Sequence, residues 1–257
     1  MLYALSCNMP INITNNDTLL QEAKKHNWRG NGTFNNPIII TDIEDGIFVN
    51  HTTLHVVIAN NTFNSKQLLI DNAQNICIMN NIFTGTSQNA RIIILNSKNI
   101  IIAHNTLLTD VSNVQIYINK CKHLYMVYNY VLDTQINNTI RYSDITDGFI
   151  CNNVIISTQS YKIIFEFVHT INHIIIINNT ILTNDNTTLS LKATTASIIA
   201  NNIIYKSSPP IYMEYPTHSI TIYNNYEFRC GTELLLTPPK DYDINIINNI
   251  SYFKLNR

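Results

Sequence analysis

The chain alternates between short apolar segments and polar breaks. Segments such as RIIIL (residues 91–95), QIYIN (115–119) and LYMVYN (124–129) are rich in Ile, Val and Tyr. Alternation of apolar and polar residues over three to six positions is typical of β-strands that bury one face. No segment within the repeated part of the chain has the period of a helix. The pattern therefore predicts an all-β protein.

The same pattern recurs along the chain at a nearly constant interval. A marker Asn closes an apolar run in each repeat, and successive markers are separated by 20, 24, 24, 24, 26, 23, 23 and 24 residues. The residue before the marker is usually a second Asn, but His104 and Tyr128 replace it in two repeats. Each repeat contains three short predicted strands. The nine markers are Asn61, Asn81, Asn105, Asn129, Asn153, Asn179, Asn202, Asn225 and Asn249.

This repeat predicts a parallel β-helix, a solenoid in which each repeat forms one coil. Coils of three short strands pair with their neighbours at about 4.8 Å, and the markers imply about 9–10 coils. We expect one continuous domain over residues 41–257, preceded by an N-terminal segment over residues 1–40. The marker Asn column is interpreted as a structural ladder. A left-handed or bridge backbone at a corner suits Asn, and inward amides can hydrogen-bond along the stack.

The two ends of the stack differ. Residues 18–28 are a helix candidate, because the sequence TLLQ from Thr18 to Gln21 has the form of a capping box. Leu19, Leu20 and Ala23 are expected to share its apolar face, with Trp28 just beyond, and the helix would cover the first coil. After Asn249 only ISYFKLNR follows. Either this last strand folds over the C-terminal end, or that end contacts a second copy or another virion or surface protein.

Composition narrows the functional classes. The chain is 45% hydrophobic and only 13% charged, which excludes a disordered protein, and its net charge of −1 argues against a nucleic-acid partner. No apolar run is long enough for a membrane span, and the first residues do not form a clear signal peptide. The five Cys include no CxxC pair, so we interpret them as small buried apolar residues.

The segment WRGNGTFNNPIII, from Trp28 to Ile40, and the Asn-rich repeats carry a family resemblance. Over roughly residues 28–250 the chain resembles the pectin-lyase-like superfamily, and most of all its NosD-type carbohydrate-binding and sugar-hydrolase repeats. This resemblance implies a right-handed helix. The superfamily includes polysaccharide lyases and hydrolases, phage tailspikes and non-catalytic surface proteins, so the fold alone does not select a function. No Asp cluster with a partnering Arg or Lys set could be carried over from the lyases.

Outward residues on the first strands of successive coils form the candidate site. We expect one column of Tyr117, Arg141, Glu166, Ser190 and Glu214, and beside it a column of Asn119, Ser143, His169 and Lys192. Such a face could bind an oligosaccharide, with Tyr117 stacking on a sugar. In an enzyme, Glu166 and Glu214 would be the carboxylate pair, about 9–10 Å apart, and Asp144 a further acid. The competing interpretation is a solvated face with an Arg141–Glu166 ion pair.

A third polar column precedes the second strands and consists of His55, Asn75, Asn99, His123, Asp147 and His173. Imidazoles on either side of a carboxylate could hold a metal, and the NosD-type resemblance adds copper as a candidate. An ordinary polar corner also explains the column, and we predict neither a metal nor a cofactor. The sequence contains no nucleophile elbow and no glycine-rich phosphate loop.

These observations predict a non-catalytic recognition or structural protein that contacts carbohydrate. The alternative is a polysaccharide hydrolase or lyase on the same fold. The expected location is a virion, a cell surface or the extracellular space. The bias towards Asn, Ile, Tyr and Phe is also typical of AT-rich genomes, which many viruses have.

Overall fold

The computed structural model describes residues 11–87, 91–111, 115–133, 140–158, 163–207, 211–214, 218–228 and 244–252. Within these residues one helix follows the first of 24 short strands, and every pairing between named strands is parallel. The predicted all-β parallel β-helix is therefore confirmed. The helix α1 spans Asn16–Lys25.

The strands, in chain order, are β1 (Ile11–Ile13), β2 (Ile38–Ile40), β3 (Ile47–Asn50), β4 (Val56–Ala59), β5 (Thr62–Asn64), β6 (Leu68–Asp71), β7 (Gln74–Met79), β8 (Ile82–Ser87), β9 (Ile92–Leu95), β10 (Lys98–Ala103), β11 (Thr106–Val111), β12 (Ile116–Val127), β13 (Tyr130–Asp133), β14 (Ile140–Cys151), β15 (Val154–Ser157), β16 (Ile163–Ile177), β17 (Thr180–Lys192), β18 (Thr194–Ala200), β19 (Ile203–Ser207), β20 (Ile211–Glu214), β21 (His218–Tyr223), β22 (Tyr226–Phe228), β23 (Ile244–Ile247) and β24 (Ile250–Tyr252).

These strands form three parallel stacks, one for each strand of the coil. In the middle of the chain the first and second strands of a coil run together, as in β12, β14 and β16, and β17 joins a third strand to the first strand of the next coil. The second strands pair in unbroken register through Ile39, Val57, Cys77, Ile101, Tyr125, Phe149, Ile175, Ile198, Thr221 and Asn245.

The core is a stack of inward side chains from all three strands. Ile58, Ile78 and Ile102 occupy one such inward column and are fully buried. Phe63 and Phe83, on the third strands of two adjacent coils, stack in another inward column, with ring centroids 4.8 Å apart. Full burial of each such side chain contributes about 1.5–3 kcal/mol, which makes this continuous column the main source of stability.

The helix begins earlier than the sequence suggested. Asn15, not Thr18, is the N-cap: its side chain accepts from the Thr18 backbone N–H at 2.8 Å, and the Thr18 hydroxyl accepts from the Asn15 N–H at 3.0 Å. The expected apolar face is also corrected, because Leu19 and Ala23 are buried while Leu20 is 45% exposed. Parallel pairing extends into the segment expected to precede the solenoid, because β1 pairs with β3 and β2 with β4.

The two positions of the paired Asn motif have separate tasks. The first position, and not the marker, has the left-handed backbone, with φ between 51° and 58° in every repeat. This corrects the expectation that the marker itself makes the corner. Residues at the first position are Asn60, Asn80, His104, Tyr128, Asn152, Asn178, Asn201, Asn224 and Asn248. Asn tolerates this conformation better than other residues that carry a Cβ, which explains why it dominates the column.

The markers form the ladder. In each step the Oδ1 of one marker accepts both the backbone N–H and the Nδ2 of the marker one coil earlier, as between Asn81 and Asn105, both at 3.0 Å. The Nδ2 also donates to backbone carbonyls, for example from Asn105 to Ile78 and Ala103. All eight steps from Asn61 to Asn249 repeat this arrangement. The ladder thus satisfies polar groups that the corner would otherwise bury unpaired.

At the corner between the first and second strands, two further residues adopt the left-handed backbone conformation. In one coil Asn96 and Asn99 have φ of 47° and 54°, and in a later coil Asp144 and Asp147 have 52° and 57°. These positions allow a sharp corner with few glycines, of which the chain has only 6.

The inward column of the last described coil is partly exposed. Ile246 pairs with the fully buried Ile222 in the inward column, yet Ile246 is exposed. The expected contact at the C-terminal end falls partly on residues 253–257, outside the described residues.

Candidate functional site

The outer face of the first strands brings most of the expected column together. Tyr117 pairs with Arg141, Arg141 with Glu166, and Glu166 with Ser190. The fifth member is Tyr212 and not Glu214, because Ser190 pairs with Tyr212. Glu214 lies two residues further on, opposite Lys192. The coil between Ser190 and Tyr212 is shorter than the usual repeat, which shifted the expected register.

The neighbouring column also needs one correction. Asn119 pairs with Ser143, but Ser143 pairs with Val168, so His169 does not belong to it. His169 is an exposed corner residue with φ of 60°. The sequence could not reveal this, because the coil contains an irregularity in register between Ser143 and Ile145.

An ion pair occupies the centre of this face. The Arg141 Nε lies 3.2 Å from Glu166 Oε2, and the two side chains are 40% and 11% exposed. Ser190, on the far side of Glu166, is fully buried. Of the expected ligand face, Ser143, Glu166 and Ser190 are buried. Tyr117, Asn119, Arg141 and Lys192 are half-buried, and the corner residue His169 is exposed.

The expected carboxylate pair does not lie in one column. Glu166 and Glu214 are two coils apart and two residues out of line, which corresponds to about 12 Å between their Cα atoms. Asp144 has a local partner set instead. It accepts from the Ser143 hydroxyl at 3.2 Å and from the Thr170 backbone N–H at 3.3 Å. Its carboxylate therefore joins the corners of two adjacent coils.

The polar column before the second strands forms a second ladder, on the surface. Asn99 Nδ2 donates to Asn75 Oδ1 at 2.9 Å, and His123 Nδ1 lies 3.0 Å from Asn99 Oδ1. Asp147 then bridges His123 Nε2 at 3.4 Å and His173 Nδ1 at 3.3 Å. These groups follow one another along the stack. Among the described residues no group of three or more His, Cys, Asp or Glu is arranged to hold a metal.

A groove that sequence reasoning missed lies at the N-terminal end of the second-strand outer face. Its volume is about 440 Å³. Val57, Cys77 and Ile101, at outward positions of three consecutive coils, belong to its lining. Phe34 and His55 also line it, with ring centroids 5.4 Å apart. The alternation of β4, β7 and β10 could have indicated the apolar lining, but not the loop that encloses it.

A tight loop positions Phe34 over this groove. The Asn31 and Gly32 N–H groups both donate to the Asn36 carbonyl at 3.0 Å. Gly30 closes the loop with φ of 103°, and a Cβ there would lie 1.8 Å from the Pro37 carbonyl oxygen, so no other residue fits without moving the chain. Phe34 itself remains 79% exposed.

The described cysteines behave as apolar residues. Burial raises the pKa of the Cys77 thiol above its ordinary value, so the sulfur that lines the groove stays protonated. Burial likewise raises the pKa of Cys121 to about 12. The Cys151 thiol has its pKa raised by the same cause.

Arg91 is a buried cation that the sequence did not single out. It is fully buried, and its guanidinium donates to the Gly85 carbonyl at 2.5 Å and the Lys66 carbonyl at 3.5 Å. Burial lowers its pKa. These contacts hold two neighbouring coils together.

The third-strand outer face carries eight of the fifteen exposed large apolar side chains among the described residues. It consists of two columns of outward positions. The first is Thr62, Ile82, Thr106, Tyr130, Val154, Thr180, Ile203, Tyr226 and Ile250. The second is Asn64, Thr84, Leu108, Leu132, Ile156, Leu182, Tyr205 and Phe228. None of these residues is charged.

Comparison with known proteins found a distant structural likeness. No protein-family model matches the sequence, and no curated protein matches it. Among solved structures the chain is similar to the crystal structure of PfbA, a surface adhesin of Streptococcus pneumoniae. The two are 11% identical with a TM-score of 0.41, and the match covers 87% of this chain and 75% of that one. A likeness this distant carries no functional argument, so the fold rests on the strand pairing. In the described part of the chain no helix is long and apolar enough to cross a membrane.

Proposed function

We propose that the protein is a non-catalytic recognition protein of the pectin-lyase-like kind, exposed on a virion or cell surface or secreted, and that it contacts carbohydrate. The observation that carries this proposal is the groove under Phe34. It combines an exposed aromatic ring, an apolar lining and a polar edge on a rigid stack of strands.

The groove suits a sugar ring better than a purely apolar ligand. Sugars present one flat face of C–H groups, which stacks on an aromatic ring, and a rim of hydroxyls. Here Phe34 provides the ring, while His55, Asn75 and Asn99 line the edge. A volume of about 440 Å³ accommodates one or two sugar residues and leaves the chain free to continue along the stack.

The arrangement of the carboxylates supports a binding function over a hydrolytic one. Arg141 pairs with Glu166, and Glu214 occupies a different column. A general acid for glycoside cleavage needs a carboxyl group that can hold a proton beside a second carboxylate at the right distance. The charged neighbour that Glu166 contacts is the Arg141 cation and not a second carboxylate.

Glycan-array binding tests the proposal. We expect wild type to bind a subset of glycans, Phe34→Ala to lose at least about tenfold in affinity, and Tyr128→Asn to bind normally. Tyr128 is the matched control, because it is an exposed aromatic residue outside the groove lining, and Asn is the usual residue in its column. Binding that is unaffected by Phe34→Ala but lost in Arg141→Ala would move the contact to the first-strand face.

A product-release assay on the bound glycans distinguishes the proposed binding function from the alternative of a polysaccharide hydrolase or lyase. We expect no new reducing ends and no unsaturated products. Release by wild type that disappears in Glu166→Gln would overturn the non-catalytic proposal.

A further inference from the structure

The third-strand outer face presents a row of large apolar side chains to solvent. Eight of its side chains are between 36% and 43% exposed: Ile82, Leu108, Tyr130, Val154, Leu182, Ile203, Tyr226 and Ile250. Their inward neighbours on the same strands, such as Leu107, Val131 and Ile155, are fully buried. The third strands are therefore apolar on both sides. The inward side forms the core, and the outward side is exposed.

The second-strand outer face is less continuous by comparison. It also lacks charged residues in its two central columns, but small buried side chains interrupt it, including Ala59, Ala103 and Ala200. Only Ile101, Tyr125 and Ile247 stand out from it as exposed large residues. The third-strand face thus presents the more continuous contact surface.

The size of the third-strand face matches that of a stable interface. Eight large side chains at these exposures contribute roughly 500–600 Å², and the other positions of the two columns bring the face to about 1,000 Å². Stable interfaces bury about 800 Å² on each partner, whereas the largest apolar patch of a typical monomer is about 300–600 Å².

The chemistry and spacing of the face favour a second copy as the partner. Because the face has no charged residue, two copies meet without like-charge repulsion. Both copies carry rows of side chains at the same spacing of about 4.8 Å, so the ridges of one face fit the grooves of the other along the whole stack, as in packed β-sheets. A partner without this repeat would lack that match.

We propose that the protein forms a homodimer in which the third-strand faces of two copies pack against each other. A two-fold interface uses the same patch on both subunits, and this face is long enough to be self-complementary. The groove under Phe34 lies on the second-strand stack, away from this interface. Dimerisation is therefore independent of carbohydrate binding.

One coil contains a matched pair of positions for the test. Leu108 lies on the third-strand face in β11 and is 41% exposed, while Ile101 lies on the second-strand face in β10 and is 40% exposed. Leu108→Lys and Ile101→Lys add the same charge to side chains of the same size and exposure. Sedimentation velocity without glycan, from about 1 to about 100 μM, measures the association.

We expect wild type and Ile101→Lys to be dimers and Leu108→Lys to weaken dimerisation at least about tenfold. Circular dichroism checks folding, and Leu182→Lys, three coils further along the same face, replaces Leu108→Lys if that variant does not fold. Wild type that stays monomeric at the highest concentration overturns the proposal. Equal effects of the substitutions on the two faces also overturn it. Neither result bears on glycan binding, which is measured with other variants.

Discussion

Asn105 and Asn129 lie one coil apart and are joined through a single oxygen. Asn129 Oδ1 accepts the Asn105 backbone N–H at 2.9 Å and the Asn105 Nδ2 at 3.0 Å. Both side chains are buried. The same relationship repeats along the stack, so each marker amide connects its own coil to the coils on both sides. The ladder is therefore a structural feature that fixes the height and register of the coils.

Replacing one ladder residue should strongly destabilise the fold. Asn105→Ala removes the acceptor of the Asn81 backbone N–H and Nδ2 and the side-chain donor to the Ile78 and Ala103 carbonyls in a buried corner. We expect a loss of about 3–4 kcal/mol in the free energy of unfolding. Chemical denaturation measures it. His104→Asn is the control, since it keeps the left-handed corner, and should change stability by less than about 1 kcal/mol. Similar losses in the two variants would contradict the ladder.

Restoring Asn to a left-handed corner should stabilise the protein. Ala196 has φ of 48° and is exposed, in the corner column where earlier coils carry Asn75 and Asn99. We expect Ala196→Asn to raise the free energy of unfolding by about 0.5–1 kcal/mol, because Asn tolerates this backbone better than Ala. Lys122→Asn, at an exposed strand position, should give no gain. A thermal shift of the same sign and size in both variants would argue against the conformational explanation.

The Arg141–Glu166 pair should couple energetically. Arg141→Met removes the cation from a nearly buried carboxylate, and we expect a loss of about 1–2 kcal/mol, limited by the exposure of Arg141. In a double-mutant cycle, adding Glu166→Gln should recover part of this loss. Additive losses would show that the two groups act independently.

Alkaline pH should weaken the fold through Cys121. Its folded pKa of about 12 lies above the unfolded value near 9. Between these values the unfolded chain has lost the thiol proton while the folded chain keeps it. The free energy of unfolding should therefore be unaffected by this group below pH 9 and fall by about 1.4 kcal/mol per unit above it. The difference between wild type and Cys121→Ala in denaturation at several pH values isolates this contribution from other buried groups. A difference that does not change with pH would contradict it.

The repeat made much of the architecture predictable. The spacing of the marker Asn residues indicated the coil, the three strands and the inward ladder, because a solenoid places residues with the same task at nearly equal intervals. Arg141 and Glu166 were also placed side by side correctly. Prediction was poorer wherever coil lengths varied. Glu214 and His169 were assigned to the wrong columns, because a change of one or two residues in a connection moves the outward positions of that coil.

The sequence by itself determined the class of fold, because period-two strands and a recurring Asn are local properties that survive without knowledge of distant contacts. Only the tertiary structure decided which Asn of each pair adopts the left-handed backbone and which outward columns align. It also decided that Leu20 faces solvent and that the loop around Phe34 encloses a groove on strands up to about 67 residues away. These features depend on register between coils and on a loop packing against them, and neither is encoded in the period of a single repeat.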